Sequence, residues 1–273
     1  MVSINPLKQK KTMKKYMFMA VAGMLALSSC SNDDNDQTTQ NAPRQMTFTA
    51  GFGDGATTRA ALDGSTKKVS FDANDKISIL SANNNNVTFT TTAGGASATF
   101  TGTATADSKF YAVYPYTDGL TLDASTGIIS GVTIPYIQSG AATSDCGWDP
   151  TAPIAYATTT GTSLQFKNAC ALLKITNDRG VAAMIRVGCN EALTGTFSLN
   201  TSSGALSGSD GTSPLARVVN VPSGKTIYIA IAPGEKTDFM AFWNRGGSYA
   251  MKEKASVTFE AGKIYNLGNT SEW

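Results

Sequence analysis

The chain reads as an all-β protein made of two β-sandwiches in tandem. Three observations carry this reading. Apolar residues alternate with small or polar ones in short runs, as in Met46, Phe48, Ala50 and Phe52, and a period of two places such residues on one face of a strand. The runs recur about every 8 to 12 residues between Gly, Pro, Asn and Asp punctuation, the spacing of sandwich strands. No window after Cys30 shows a sustained 3.6-residue period, so no firm helix is expected there.

The first 45 residues precede this pattern. Tyr16 to Leu27 is an apolar run behind Lys8, Lys10, Lys11, Lys14 and Lys15. A basic segment, a short apolar stretch and small residues before a cleavage point make a secretory signal. The run falls short of the roughly 20 apolar residues that cross a bilayer. It ends in Leu27-Ser28-Ser29-Cys30, which resembles the lipobox of bacterial lipoproteins. The resemblance implies cleavage before Cys30 and lipidation of that cysteine; a start at Met13 would leave a tighter signal. Residues 30–45 hold almost no apolar side chain and read as a solvated tether. Asp33, Asp34 and Asp36 in it resemble the export signal of surface lipoproteins.

The strands follow in order. Met46 to Phe52 ends at Gly53-Asp54-Gly55, and an open polar loop runs to Asp63-Gly64. Lys68 to Phe71 and Lys76 to Leu80 flank an Ala73-Asn74-Asp75 turn, and Asn83 to Asn86 reads as a loop, because Asn tolerates left-handed backbone. Val87 to Thr91 and Ser97 to Thr101 form a hairpin around Ala93-Gly94-Gly95. Lys109 to Tyr114 is the strongest strand and stops at Pro115. Ile128-Ile129 and Val132 to Ile137 follow. Gly140 to Thr162 is rich in turn residues and Thr, which places a domain boundary near residue 160. The second half continues with Leu164–Phe166, Ala169–Thr176, Ala183–Val187, Leu193–Leu199, Arg217–Val221, Lys225–Ala232, Asp238–Trp243, Ser256–Phe259 and Lys263–Leu267. The expected organisation is therefore a signal over 1–29, a tether over 30–45, and sandwiches over 46–160 and 161–273.

Composition narrows the function. The formal charge of +2 loses five lysines and no acid with the signal, leaving 17 basic against 20 acidic residues. That is no footprint for nucleic acid. Only 15% of residues are charged, which suits a turn-rich extracellular β protein. Histidine is absent, which removes the usual Ser-His-Asp and Cys-His nucleophile systems and every histidine metal site. Cys170 and Cys189 flank a candidate hairpin at Asp178-Arg179-Gly180, where either a bridge or two buried thiols is open.

Other candidate sites are weaker than their structural readings. Asp145 and Asp149 flank Cys146 and Trp148 in a loop, a carboxylate pair that glycoside chemistry uses, but loop acids are ordinary turn formers. Asp72, Asn74 and Asp75 lack the glycine-and-glutamate frame of an EF-hand calcium loop. Trp148, Trp243, Tyr114 and Tyr116 are the sugar-stacking candidates, against the common use of aromatics as sandwich core. Neither an enzyme, a metal site nor a cofactor is expected.

Several stretches together resemble fimbrillin-family proteins, the lipoprotein-type subunits of type V pili. They are Thr57-Thr58-Arg59-Ala60, Val69-Ser70-Phe71-Asp72, Asn74 to Ile79, Phe110 to Tyr116, Phe166 to Leu173, Leu193 to Phe197, Ile229 to Gly234 and Phe259 to Tyr265. Their order and spacing, with the lipobox, carry the resemblance from Cys30 to about Leu267. It implies two transthyretin-like β-sandwich domains and a non-enzymatic pilus subunit or fimbria-associated adhesin, lipid-anchored at Cys30 in the outer membrane at least transiently. It also implies cutting by a trypsin-like protease between Arg59 and Ala60. The displaced strand is then Met46, Phe48, Ala50 and Phe52. Candidate donors to another pilin subunit are Val257 and Phe259, or Ile264 and Leu267. Partners would be other pilins and a surface ligand. The alternative is a glycan-binding surface lipoprotein that does not polymerise.

Overall fold

The computed structural model of the protein describes residues 42–53, 70–144, 147–208 and 211–273. Its strands are β1 (Arg44–Phe52), β2 (Lys76–Ser81), β3 (Asn84–Thr91), β4 (Ser97–Ala104), β5 (Phe110–Tyr114), β6 (Thr121–Asp123) and β7 (Ile128–Ile134). After a single helical turn, α1 (Gly140–Thr143), come β8 (Ala155–Thr159), β9 (Ser163–Asn168), β10 (Ala171–Thr176), β11 (Ala183–Gly188) and β12 (Gly195–Asn200). β13 (Leu206–Gly208), β14 (Leu215–Val221), β15 (Thr226–Ile231), β16 (Gly234–Arg245), β17 (Ser248–Phe259) and β18 (Ile264–Asn269) complete the set, with a 3₁₀ turn over Thr270–Glu272. The described residues fall in one compact unit.

Seven strands close into a barrel in the order β1-β4-β3-β2-β5-β8-β9. Its interior holds Phe48, Phe89, Phe100, Phe110 and Phe166, all buried. Phe48 meets Phe89 and Phe110 edge to face at 5.3 and 5.1 Å between ring centres, a favoured aromatic geometry. Gly102 lets β4 pass close to β3: a Cβ there would lie 2.7 Å from the Phe89 ring and from the Thr88 carbonyl oxygen. A three-stranded sheet, β15-β10-β18, faces a four-stranded one, β14-β11-β16-β17, over a core that includes Leu173, Ile175, Ile185, Val187 and Trp243.

A third core lies outside the barrel. Leu80, Tyr111 and Val113 on the barrel's outer face pack with Ile129 and Phe197 and with Leu172 and Ala230. Ile129 and Phe197 belong to the fourth sheet, β13-β12-β7-β6. This explains why Phe110 to Tyr114 and Ala171 to Leu173 are apolar at successive positions. β5 and the start of β10 are buried on both faces, so alternation gives way to a continuous run.

The all-β class stands, while several elements differ from the expectation. Thr121–Ile134 pairs with strands from residues 195–208 through β7–β12, so the two halves interleave. Residue 160 falls in the turn of the β8–β9 hairpin, and both strands belong to the barrel, which runs to Asn168. β8 itself lies in the stretch read as turn-rich; its Ala155, Tyr156 and Ala157 are buried through pairing with β5. Asn84 to Asn86 open a strand rather than lie in a loop. Asn84 makes this work by bonding both polar groups of Thr105: its Nδ2 donates to the carbonyl oxygen and its Oδ1 accepts from the amide, each at 2.7 Å. β16 and β17 are a hairpin of 12-residue strands, longer than expected because Ser248 to Ala255 shows little apolar alternation. β10 and β11 do not pair with each other: β10 joins β15 and β18, β11 joins β14 and β16. The chain crosses between sheets at Asp178 to Gly180, and Cys189 is a free thiol, so no bridge links it to Cys170.

Candidate strand-exchange site

β1 is held on both sides. Its antiparallel ladder to β4 runs from Arg44↔Ala104 to Gly51↔Ser97, and its parallel ladder to β9 from Thr49↔Ser163 to Phe52↔Phe166. The strand begins at Arg44, two residues before the expected Met46. Phe48 and Ala50 are completely buried, and Met46 and Phe52 pack against the barrel core from partly buried positions. Phe52 stacks on Phe71 at 4.9 Å and lies 6.2 and 5.9 Å from Tyr114 and Phe166. All four residues predicted for the displaced strand therefore serve one core. Burying each large side chain stabilises by about 1.5–3 kcal/mol, so a barrel without β1 would present both a deep apolar slot and two unpaired backbone edges. Arg59, Ala60 and Cys30 lie outside the described residues.

The predicted donor residues lie at two sheet edges. β17 ends the four-stranded sheet and β18 ends the three-stranded one. Phe259 is buried, and Val257, Ile264 and Leu267 are half-buried. Between the edges runs a cleft of ≈ 250 Å³ lined by Phe239, Val257, Phe259, Tyr265 and Leu267, with Lys252 and Lys254 at its rim. β1 and the donor candidates belong to different sheets, so the fold does not bring slot and donor together within one chain.

Sequence reasoning missed what fastens β18. Asp178 accepts hydrogen bonds from the Ser271 amide at 2.8 Å, the Ser271 hydroxyl at 2.5 Å and the Thr270 hydroxyl at 3.1 Å. Arg179 Nε donates to the Thr270 carbonyl at 2.7 Å. Asn177, fully buried, donates to the carbonyls of Val181 and Val221 and accepts from Trp243 Nε1 at 3.0 Å. The contacts of Asp178 and Arg179 join residues 91 to 93 apart in sequence, and no local pattern marks them. The Ser271 hydroxyl, more than any other group, holds the Asp178 carboxyl below its ordinary 3.8. A carboxyl depressed in the folded state contributes stability above its unfolded value and loses it as the pH falls through the folded one. Below pH 3.8, amide exchange at residues 270–273 should therefore rise ahead of exchange in the barrel strands, and Asp178→Ala should produce the same local rise at neutral pH. Equal protection of 270–273 in Asp178→Ala and wild type would refute the fastening.

The other candidate residues have structural partners. Trp148 is 2% exposed, and Trp243 and Tyr114 are also buried, so none of the three presents a face to a sugar. Asp149 accepts from Gly140 and Thr151 as a turn former. The Asp75 carboxylate is taken up by the Asp72 amide and the Tyr114 hydroxyl. Asp145 and Cys146 lie outside the described residues.

A family model described as fimbrillin-like matches residues 58–270. Among solved structures, a candidate cell-adhesion protein from Bacteroides uniformis is 16% identical, with a TM-score of 0.50 over 82% of this chain and 92% of that one. One from Bacteroides ovatus is 16% identical, with a TM-score of 0.49 over 83% and 92%. A fimbrial assembly protein from Parabacteroides distasonis is 10% identical, with a TM-score of 0.41 over 83% and 91%. At these identities the likeness concerns the fold. No curated protein sequence matches the chain.

Proposed function

We propose, from the premise that the chain belongs to the fimbrillin-like family, that it is a structural subunit of a type V pilus or a fimbria-associated adhesin assembled by strand exchange. It travels to the outer membrane as a lipoprotein modified at Cys30. A trypsin-like protease then cuts between Arg59 and Ala60, in a stretch of small residues, Ala56-Thr57-Thr58-Arg59-Ala60, of the composition proteases prefer. β1 leaves, and an extended strand from a second subunit enters between β4 and β9. That strand supplies main-chain hydrogen bonds to two edges and apolar side chains to the pockets of Phe48 and Phe52, the two sources of affinity in strand addition.

The observation that carries this reading is the position of β1. It is hydrogen-bonded on both edges and contributes its inner face to the barrel core, yet it is the first strand among the described residues and joins the rest of the barrel through the segment that holds Arg59. Such a strand can be exchanged whole without rethreading the chain. The glycan-binding alternative loses Trp148, Trp243 and Tyr114 to the core and keeps Tyr116, which is partly exposed. The lipoprotein part of the proposal is tested by Cys30→Ala in cells fed labelled palmitate. The variant should incorporate no label and should be missing from the surface; persistent labelling would refute Cys30 as the anchor.

A further inference from the structure

One side chain inside the barrel has neither of its polar atoms engaged. Asn168 ends β9 and is 7% exposed, and neither its Nδ2 nor its Oδ1 has a hydrogen-bond partner among the described residues. Along β9, buried Leu164, Phe166 and Asn168 alternate with exposed Ser163, Gln165 and Lys167, so the amide shares the inward face with the core side chains. It pairs across the sheet with Ala155, which pairs in turn with Tyr114. These three residues form one layer at a mouth of the barrel. The Tyr114 hydroxyl in that layer donates to Asp75 Oδ2 at 2.6 Å. The Asn168 amide is buried with no such return, and a buried amide without a partner loses its bonds to water for nothing.

Among the described residues β1 does not reach this layer: its register with β9 ends at Phe52↔Phe166, and the furthest bond described is from the Gly53 amide to the Phe166 carbonyl at 3.1 Å. A strand in the place of β1 that ran two residues further would come level with Asn168. We propose that Asn168 sets the register of the exchanged strand: its amide is satisfied in the polymer, by a polar side chain two positions beyond the one that fills the place of Phe52. This rests on the strand-exchange reading and names the feature of the donor that the slot selects. β18 has the required pattern. β18 bulges at Leu267 in the single subunit; once it is drawn into a regular strand, Tyr265, Leu267 and Asn269 share one face, so seating Leu267 in the place of Phe52 brings Asn269 of a second copy against Asn168. Each amide then donates to the other's oxygen. In the single subunit the Asn269 side chain bonds Glu272 through its Nδ2, and donation requires β18 to give up its ladder with β10 and the fastening at Asp178. A slip of one residue would turn the donor's apolar face outward and leave the Asn168 amide unpaired, as buried asparagines penalise wrong registers in coiled coils.

The test uses the full chain, processed in cells, with two readouts: the melting temperature of the uncleaved subunit, held in an Arg59→Ala background, and the dissociation rate of purified polymers in denaturant. Asn168→Leu should leave the uncleaved subunit as stable as its parent or more so, while its polymers dissociate at least tenfold faster. Asn168→Ala should weaken polymers likewise and guards against overpacking by leucine. Asn269→Leu should reproduce the polymer defect. The double variant Asn168→Leu/Asn269→Leu should recover most of the loss, because removing both partners leaves no amide unpaired. Polymers unaffected by Asn168→Leu and Asn168→Ala, or losses that simply add in the double variant, would overturn the register role. A failure of strand exchange itself is read separately, as wild-type and Arg59→Ala subunits polymerising alike, and the register role falls with it.

Discussion

Arg59→Ala subunits should reach the surface but build no high-mass polymers. In sheared surface material the wild type should begin at Ala60, whereas the variant should retain residues 46–52. The expected effect is close to all-or-none for a geometric reason. β1 occupies the barrel between β4 and β9 along both ladders, and an incoming strand has no second place in that closed sheet. While β1 stays covalently attached, its effective concentration at its own site far exceeds that of a strand on another molecule. Cutting the segment after it removes that advantage. Once β1 has dissociated, the exposed slot favours whichever strand is abundant nearby. If variant and wild type form the same ladders and both keep residues 46–52, strand exchange at this site is excluded.

The second large effect concerns Phe48. Its ring is completely buried against Phe89 and Phe110, in a closed barrel that cannot easily collapse around a void. Phe48→Ala should cost about 3–5 kcal/mol in the uncleaved subunit, against a total of about 5–15 kcal/mol for a typical domain. The melting temperature should fall by many degrees. The same substitution should leave the denaturant resistance of finished polymers unchanged, because β1 is no longer in the barrel there. Thermal melts of the Arg59→Ala and Phe48→Ala/Arg59→Ala subunits measure the first effect, and polymer dissociation measures the second. Polymers weakened as much as the subunit would mean that β1 remains in place after assembly.

The two predictions draw on different kinds of information. Arg59 was legible as a small-residue loop arginine and from the family resemblance, while the force of its prediction comes from the double ladder around β1. Met46, Phe48, Ala50 and Phe52 were legible as one strand face by alternation alone, and the barrel confirms that face as core. Their aromatic partners were not: Phe48 reaches Phe110 and Phe52 reaches Phe166, pairs too distant in the chain for any local pattern to join.

Alternation, turn residues and the lack of helical periodicity were enough to determine the all-β class and most strand positions, because each is a property of a short window. Tertiary structure decided the rest. It closed seven strands into a barrel, tied Thr121–Ile134 to residues 195–208, buried Trp148, fastened β18 through Asp178 and left the Asn168 amide without a partner among the described residues. Each of these depends on which distant strands pair and on which face a second layer covers. A period of two says that a strand has two faces, but only long-range pairing and burial say what each face meets.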